Sequence, residues 1–117
     1  MRRAPLAPVA SVSEWDELAS ASDWLLVTFT SPRCMICKQL APMLNVVAAE
    51  AGDALASAKI DAEALPELAE RFDVRSLPTT LLLREGSLAD RISGFATAGA
   101  LRTWLKERGV RFAGNTL

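Results

Sequence analysis

Ser31-Pro32-Arg33-Cys34-Met35-Ile36-Cys37-Lys38-Gln39-Leu40-Ala41-Pro42 holds both cysteines of a 117-residue chain that has no histidine. An apolar, partly β-branched run, Trp24 to Thr30, precedes it, and an apolar pattern at helical spacing follows it to Ala51. The spacing predicts a strand ending just before Cys34 and a helix beginning there. The first N–H groups of a helix have no intrahelical partner, and its dipole is positive at that end. Both effects stabilise a thiolate at Cys34, and the cations Arg33 and Lys38 act in the same direction. Cys37 falls on nearly the same helix face, so its sulfur can reach that of Cys34. This is the layout of a dithiol that cycles with its disulfide.

Two other readings of the pair stay open at this point. One is half of a zinc site. Structural zinc takes four nitrogen or sulfur ligands, so this chain would need a second copy's pair, or carboxylates, to complete it. The other is an inert pair. Redox use leads, because a lone Cys pair in a reducing cytosol is more often catalytic than structural.

Half of the residues are hydrophobic and 23% are charged, a globular composition with a net charge of −1. Acidic and basic residues are interspersed, without the basic patch that nucleic-acid binding requires. No segment is apolar for long enough to span a membrane. The N-terminal Met1-Arg2-Arg3-Ala4-Pro5-Leu6-Ala7-Pro8 is basic, but Pro5 and Pro8 break the apolar run that a signal peptide needs. The expectation is one soluble, cytoplasmic domain over residues 1–117, with its core about 9–108 and an irregular, mobile tail at 109–117.

The elements follow in order. Val9 to Val12 reads as a short strand. Ser13 reads as the N-cap of a helix ending near Ser20, with Trp15 and Leu18 inward. Trp24 to Thr30 suits a strand buried on both faces. In the long helix, Cys37, Leu40, Leu44, Val47, Ala48 and Ala51 form one stripe, Pro42 introduces a kink, and Gly52 is the stop. A strand centred on Ala58-Lys59-Ile60 and a short helix from Leu65 to Phe72 come next. The chain turns at Pro78 into a strand, turns again at Glu85-Gly86, and returns as a hairpin partner from Ala89 to Ser93. Thr97 to Arg108 is the last helix. The order β-α-β-α-β-α-β-β-α predicts an α/β fold, a central mixed sheet with helices on both faces.

Cys34-Met35-Ile36-Cys37-Lys38, Ala41-Pro42, Leu77-Pro78-Thr79, Gly86 and Gly94, at these spacings, resemble the thioredoxin family over roughly Val9 to Arg108. The resemblance implies a thioredoxin-like fold and a protein-disulfide reductase acting in cell redox homeostasis and electron transport. It implies that Cys34 attacks a target disulfide and that Cys37 resolves the mixed disulfide. Pro78 would be a cis-proline facing the cysteines, leaving the backbone of Leu77 free to pair with substrate. Arg33, Met35, Ile36, Leu77, Pro78, Ser93, Gly94 and Phe95 would line the groove. The implied partners are disulfide-containing target proteins and an upstream thiol or flavoprotein reductase. A monomer is expected, with no metal and no cofactor beyond the Cys34–Cys37 disulfide.

The chain departs from the family pattern at three places. Met35-Ile36 replaces the usual Gly-Pro between the cysteines, and Arg33 replaces a frequent tryptophan. Thr28 stands where the family commonly buries an aspartate behind the second cysteine, while the neighbouring lysine is kept as Lys59. A hydroxyl cannot take a proton at neutral pH as a carboxylate can. This leaves room for a second class of function, a thioredoxin-fold binding or scaffold module with weak turnover. Thr28 and Lys59 can equally be ordinary strand residues.

Overall fold

The structure is a computed structural model that describes residues 4–112. Its elements are β1 (Ala7–Pro8), α1 (Val12–Ala21), β2 (Trp24–Thr30), α2 (Met35–Ala51), a 3-10 turn (Gly52–Ala54), β3 (Ala56–Asp61), α3 (Pro66–Arg71), β4 (Thr79–Arg84), β5 (Ser87–Ser93) and α4 (Ala98–Arg108). One five-stranded sheet runs in the order β1-β3-β2-β4-β5. β1 and β2 are parallel to β3, while β2, β4 and β5 pair antiparallel.

Side chains alternate across a strand, so a central strand must be apolar on both sides. On β2, Leu25, Val27 and Phe29 join Trp15, Ile60, Leu68, Leu81 and Leu83 in the core beneath α1 and α3. Leu26 faces the other way and joins Leu82 with the stripes of α2 and α4, including Leu40, Leu44, Val47, Leu101 and Leu105. By the same alternation Thr28 is on the α2 side, with Leu26. Burying each such leucine is worth about 1.5–3 kcal/mol. The exposed Arg102–Glu50 pair, with N–O contacts of 2.7 and 2.9 Å between α4 and α2, adds at most about 1 kcal/mol. Apolar packing therefore decides how α4 docks on α2.

The long helix matches its expected stripe: Cys37, Leu40, Leu44, Val47, Ala48 and Ala51 are all buried. It continues through Pro42 as one element, and Gly52, at φ 59°, ends it with an N–H donated to the carbonyl of Ala48.

Three boundaries differ from expectation. The first strand is Ala7–Pro8, not Val9 to Val12, because Val9 makes the last bond to β3, its N–H reaching the Lys59 carbonyl at 2.9 Å. Ser11 rather than Ser13 caps α1. Its hydroxyl accepts from the Glu14 N–H at 3.1 Å, and the Glu14 carboxylate accepts from the Ala10 N–H, which closely follows the Ser-x-x-Glu capping pattern. β5 begins at Ser87, and a bulge at the Leu82/Leu83 register shift passes over Ala89. Residues 110–112 carry no regular secondary structure, as expected of the tail, yet they pack. Gly109 adopts φ 115° and closes α4, and Val110 and Phe112 then bury themselves beside Leu105. Lys106 lies over the Phe112 ring at 5.3 Å. The rest of that expected tail, 113–117, is outside the described residues.

Phe112→Ala removes a buried ring from this core, so it is expected to destabilise the fold by about 3 kcal/mol, read by urea unfolding. A change below about 0.5 kcal/mol would mean that the segment after α4 does not pack.

Asp90 joins β5 to α4 and accepts from the Trp104 indole N–H at 2.8 Å and from Arg108 at 3.4 Å. The Trp104 bond, then the Arg91 N–H, hold its carboxyl below the ordinary range. A carboxyl held low in the folded state adds stability above its unfolded pKa, and that stability is lost as pH falls through the folded value. Asp90→Asn keeps an acceptor and loses the charge. The parent is expected to be the more stable chain at neutral pH, and calorimetry should show the gap closing on acidification. A gap that persists in acid would assign it to shape rather than charge.

Candidate active site

The site is built where β2 stops. Past Thr30 the chain turns, with the Cys34 N–H donating to the Ser31 carbonyl at 3.2 Å. Cys34 is still extended, at φ −87° and ψ 106°, and serves as the N-cap of α2. A cap residue offers its side chain to the unpaired N–H groups of the first turn. Here that acceptor is sulfur: the Cys37 N–H donates to Cys34 Sγ at 3.2 Å. Cys34 and Cys37 are joined as a disulfide with their Cα atoms 5.2 Å apart. Cys34 is half-buried, whereas Cys37 is only 7% exposed and points inward with Leu40 and Leu44. The outer sulfur is therefore open to another molecule and the inner one is shielded. Among the described residues no group of three or more His, Cys, Asp or Glu could hold a metal ion.

The expected groove residues come to the same end of the sheet. Leu77–Pro78 is a cis peptide. Thr79 is in register with Phe29 on one side and Ser93 on the other, and the Pro78 carbonyl accepts from the Gly94 N–H at 2.9 Å. Leu77-Pro78 and Ser93-Gly94-Phe95 thus flank the end of β2 that leads to the cysteines. Pro78 is buried, Leu77 and Gly94 are half-buried, and Ser93 and Arg33 are exposed. Met35, Ile36 and Phe95 are 69%, 47% and 49% exposed, large apolar side chains held in water on this end of the molecule.

Thr28 and Lys59 also meet, behind the disulfide. They are register partners on β2 and β3, and with Cys37, Lys38 and Asp61 they line a cavity of about 690 Å³. Thr28 is 7% exposed, and Lys59 is exposed. Asp61 accepts from the N–H groups of Glu63 and Ala64 at 2.9 and 3.4 Å. Sequence reasoning did not find Asp61 or Thr80. Asp61 lies two residues beyond Lys59, hence on the same strand face, which was a usable signal. Thr80, whose hydroxyl is 3.4 Å from that of Thr28, depends on strand register, for which the sequence carries no marker.

The thioredoxin family model matches residues 7–107. A thioredoxin of Mycolicibacterium smegmatis is 40% identical over 87 residues, covering 73% of this chain and 78% of that protein. A bifunctional thioredoxin reductase/thioredoxin of Mycobacterium leprae is 36% identical over 93 residues, covering 80% of this chain and 20% of that protein. A mutant thioredoxin from Halobacterium salinarum superposes with a TM-score of 0.81 at 29% identity, covering 89% of this chain and 90% of that one. The chain spans 63% or less of the length of several other curated relatives. With the family model matched across the sheet, the cap and the cis-proline segment, the chain belongs to the thioredoxin family.

Proposed function

We propose that the chain is a thiol–disulfide oxidoreductase that reduces disulfides in other proteins through Cys34 and Cys37. One observation carries this: a half-exposed sulfur caps α2 beside a buried one with which it forms a disulfide. In the reduced chain the Cys34 thiolate attacks a target disulfide, forming a Cys34–target bond and releasing one target thiolate. Cys37 gives up its proton and attacks Cys34 Sγ. The Cys34–target bond breaks, the second target sulfur leaves as thiolate and is protonated, and Cys34–Cys37 is left oxidised. Two electrons pass from the pair to the target.

Met35, Ile36 and Phe95 supply the apolar rim against which a target segment docks. Arg33 adds a cation beside Cys34. Leu77 presents backbone at the same end, with Pro78, Ser93 and Gly94 at the border. The two sulfurs suffice for the exchange, without a further cofactor, and both come from one chain, which suits a monomer. To turn over, the disulfide must be reduced again by a thiol or flavoprotein reductase. The relative that carries thioredoxin reductase and thioredoxin in one polypeptide supports a reductase partner. A reducing compartment such as the cytoplasm, and a place in electron transport, fit a protein that must be kept supplied with electrons.

Three measurements test this. Cys34 is expected to alkylate at neutral pH at least about tenfold faster than Cys37, since cap donors stabilise its thiolate and burial shields Cys37. Mass spectrometry of briefly labelled, reduced chain reads this, and label chiefly on Cys37 would reverse the roles. In Cys37→Ser the mixed disulfide cannot resolve, so reductant-sensitive adducts with a model protein disulfide should accumulate on Cys34; equal adducts in Cys34→Ser would contradict the mechanism. Dithiothreitol-driven reduction of insulin should be accelerated by the intact chain and not by Cys34→Ser. Adducts without turnover would favour the binding-module reading, for which the absent carboxylate at Thr28 is the supporting observation.

A further inference from the structure

Arg91 gives its guanidinium to the backbone that leads to the groove. On β5 it is the register partner of Leu81, so it lies on the sheet face that carries α1 and α3. There it reaches the end of α3. That helix closes through Asp73, at φ 54°. The Asp73 N–H donates to the Glu70 carbonyl at 3.1 Å and the Val74 N–H to the Ala69 carbonyl at 2.8 Å. Among the described residues no backbone N–H meets the carbonyls of Phe72 and Asp73. Arg91 Nη2 and Nη1 donate to them instead, at 2.6 and 3.3 Å. A guanidinium is a rigid planar fork, so two such bonds fix direction as well as position. No ion pair among the described residues draws Arg91 elsewhere.

From Phe72 the chain runs on to Leu77 and Pro78, and the same strand holds that far end. Ser93 is the register partner of Thr79, and just past it the Gly94 N–H donates to the Pro78 carbonyl at 2.9 Å. The segment 72–78 is thus held at both ends from β5. The side chains of Phe72, Val74 and Leu77 pack against the core beneath α1 and α3, so the segment stays tethered when the fork is removed. What the fork adds is a fixed path for the backbone. We propose that Arg91 is a positioning residue for protein substrates. By clamping the Phe72 and Asp73 carbonyls, it sets where the Leu77 backbone stands relative to Cys34, and so how tightly a target segment docks. The inference rests on the oxidoreductase reading above, and no step of the exchange runs through Arg91. A small disulfide that reaches Cys34 without lying along Leu77 does not sense the clamp, whereas an extended protein segment does.

Arg91→Met keeps an unbranched stem and removes every donor. In dithiothreitol-driven insulin reduction its KM is expected to rise about fivefold with kcat within about twofold of the parent's, the pattern of lost docking rather than lost chemistry. Cys34 should release the first thiol from a small aromatic disulfide at the parental rate. Arg91→Lys keeps one donor group on a flexible stem, and its insulin KM should fall between those of the parent and Arg91→Met. Hydrogen exchange reads the clamp without turnover. In Arg91→Met the amides of Val74 and Gly94, which bond the Ala69 and Pro78 carbonyls, should exchange faster, while those of β2 exchange as in the parent. An unchanged insulin KM in folded Arg91→Met, equal slowing with insulin and the small disulfide, or exchange that quickens across the whole sheet would each overturn the proposal. If Arg91→Met does not fold, Arg91→Lys decides: a parental KM with parental exchange at Val74 and Gly94 overturns it. Failure of the parent to reduce insulin would instead overturn the oxidoreductase reading, and hydrogen exchange would still decide whether Arg91 holds the segment.

Discussion

The hydrogen bond from the Cys37 N–H to Cys34 Sγ depends on one constraint, that β2 ends and α2 begins within a single short turn. A helix start leaves N–H groups unpaired, and the residue at the cap is the one placed to receive them. With sulfur in that position, an element boundary becomes a reactive centre. The rest of the molecule keeps the boundary still. β2 is held by strands on both sides and by apolar cores on both faces, and α2 is anchored by its buried stripe. The same geometry separates the two sulfurs, since the cap stays at the surface while a residue one turn on rotates inward.

Much of this was legible because its signals are local. The seven-residue apolar run of β2 has no polar face to give to water, and the stripe from Cys37 to Ala51 repeats at helical spacing. Gly52 and Gly109 stop their helices in backbone conformations that favour glycine. Errors fell where two local signals compete. Ser11 and Ser13 are both good caps, and the deciding contact is made by Glu14, three residues after Ser11. Val110 and Phe112 follow a glycine and look like the start of a tail. Their burial depends on an apolar hollow formed by residues far away in sequence, which no local pattern announces.

At the site itself, the pairing of the sulfurs was legible from their spacing, and the placement of Leu77-Pro78 and Ser93-Gly94 at one end of the sheet from the family resemblance. The wall behind them was harder to read. Which residues share a sheet face across three strands depends on register, and register is set by the assembled core rather than by any one segment. Thr28 illustrates this: its neighbours Lys59 and Thr80 are fixed by pairing with β3 and β4. Judged alone it is a β-branched residue in a strand. In the fold it shares one cavity wall with Cys37 and Lys59.

The bulge near Ala89 has a consequence for how the chain meets others. A sheet edge with regular, unpaired backbone invites strand addition from another polypeptide. Here β1 is two residues long and includes Pro8, which has no N–H to donate. β5, the other edge, is broken by its bulge and carries Asp90 and Arg91, whose side chains are tied to α4 and to the carbonyls of Phe72 and Asp73. Neither flank is a regular template for lateral pairing. The exposed apolar side chains of Met35, Ile36 and Phe95 lie instead at the end of the sheet that leads to Cys34.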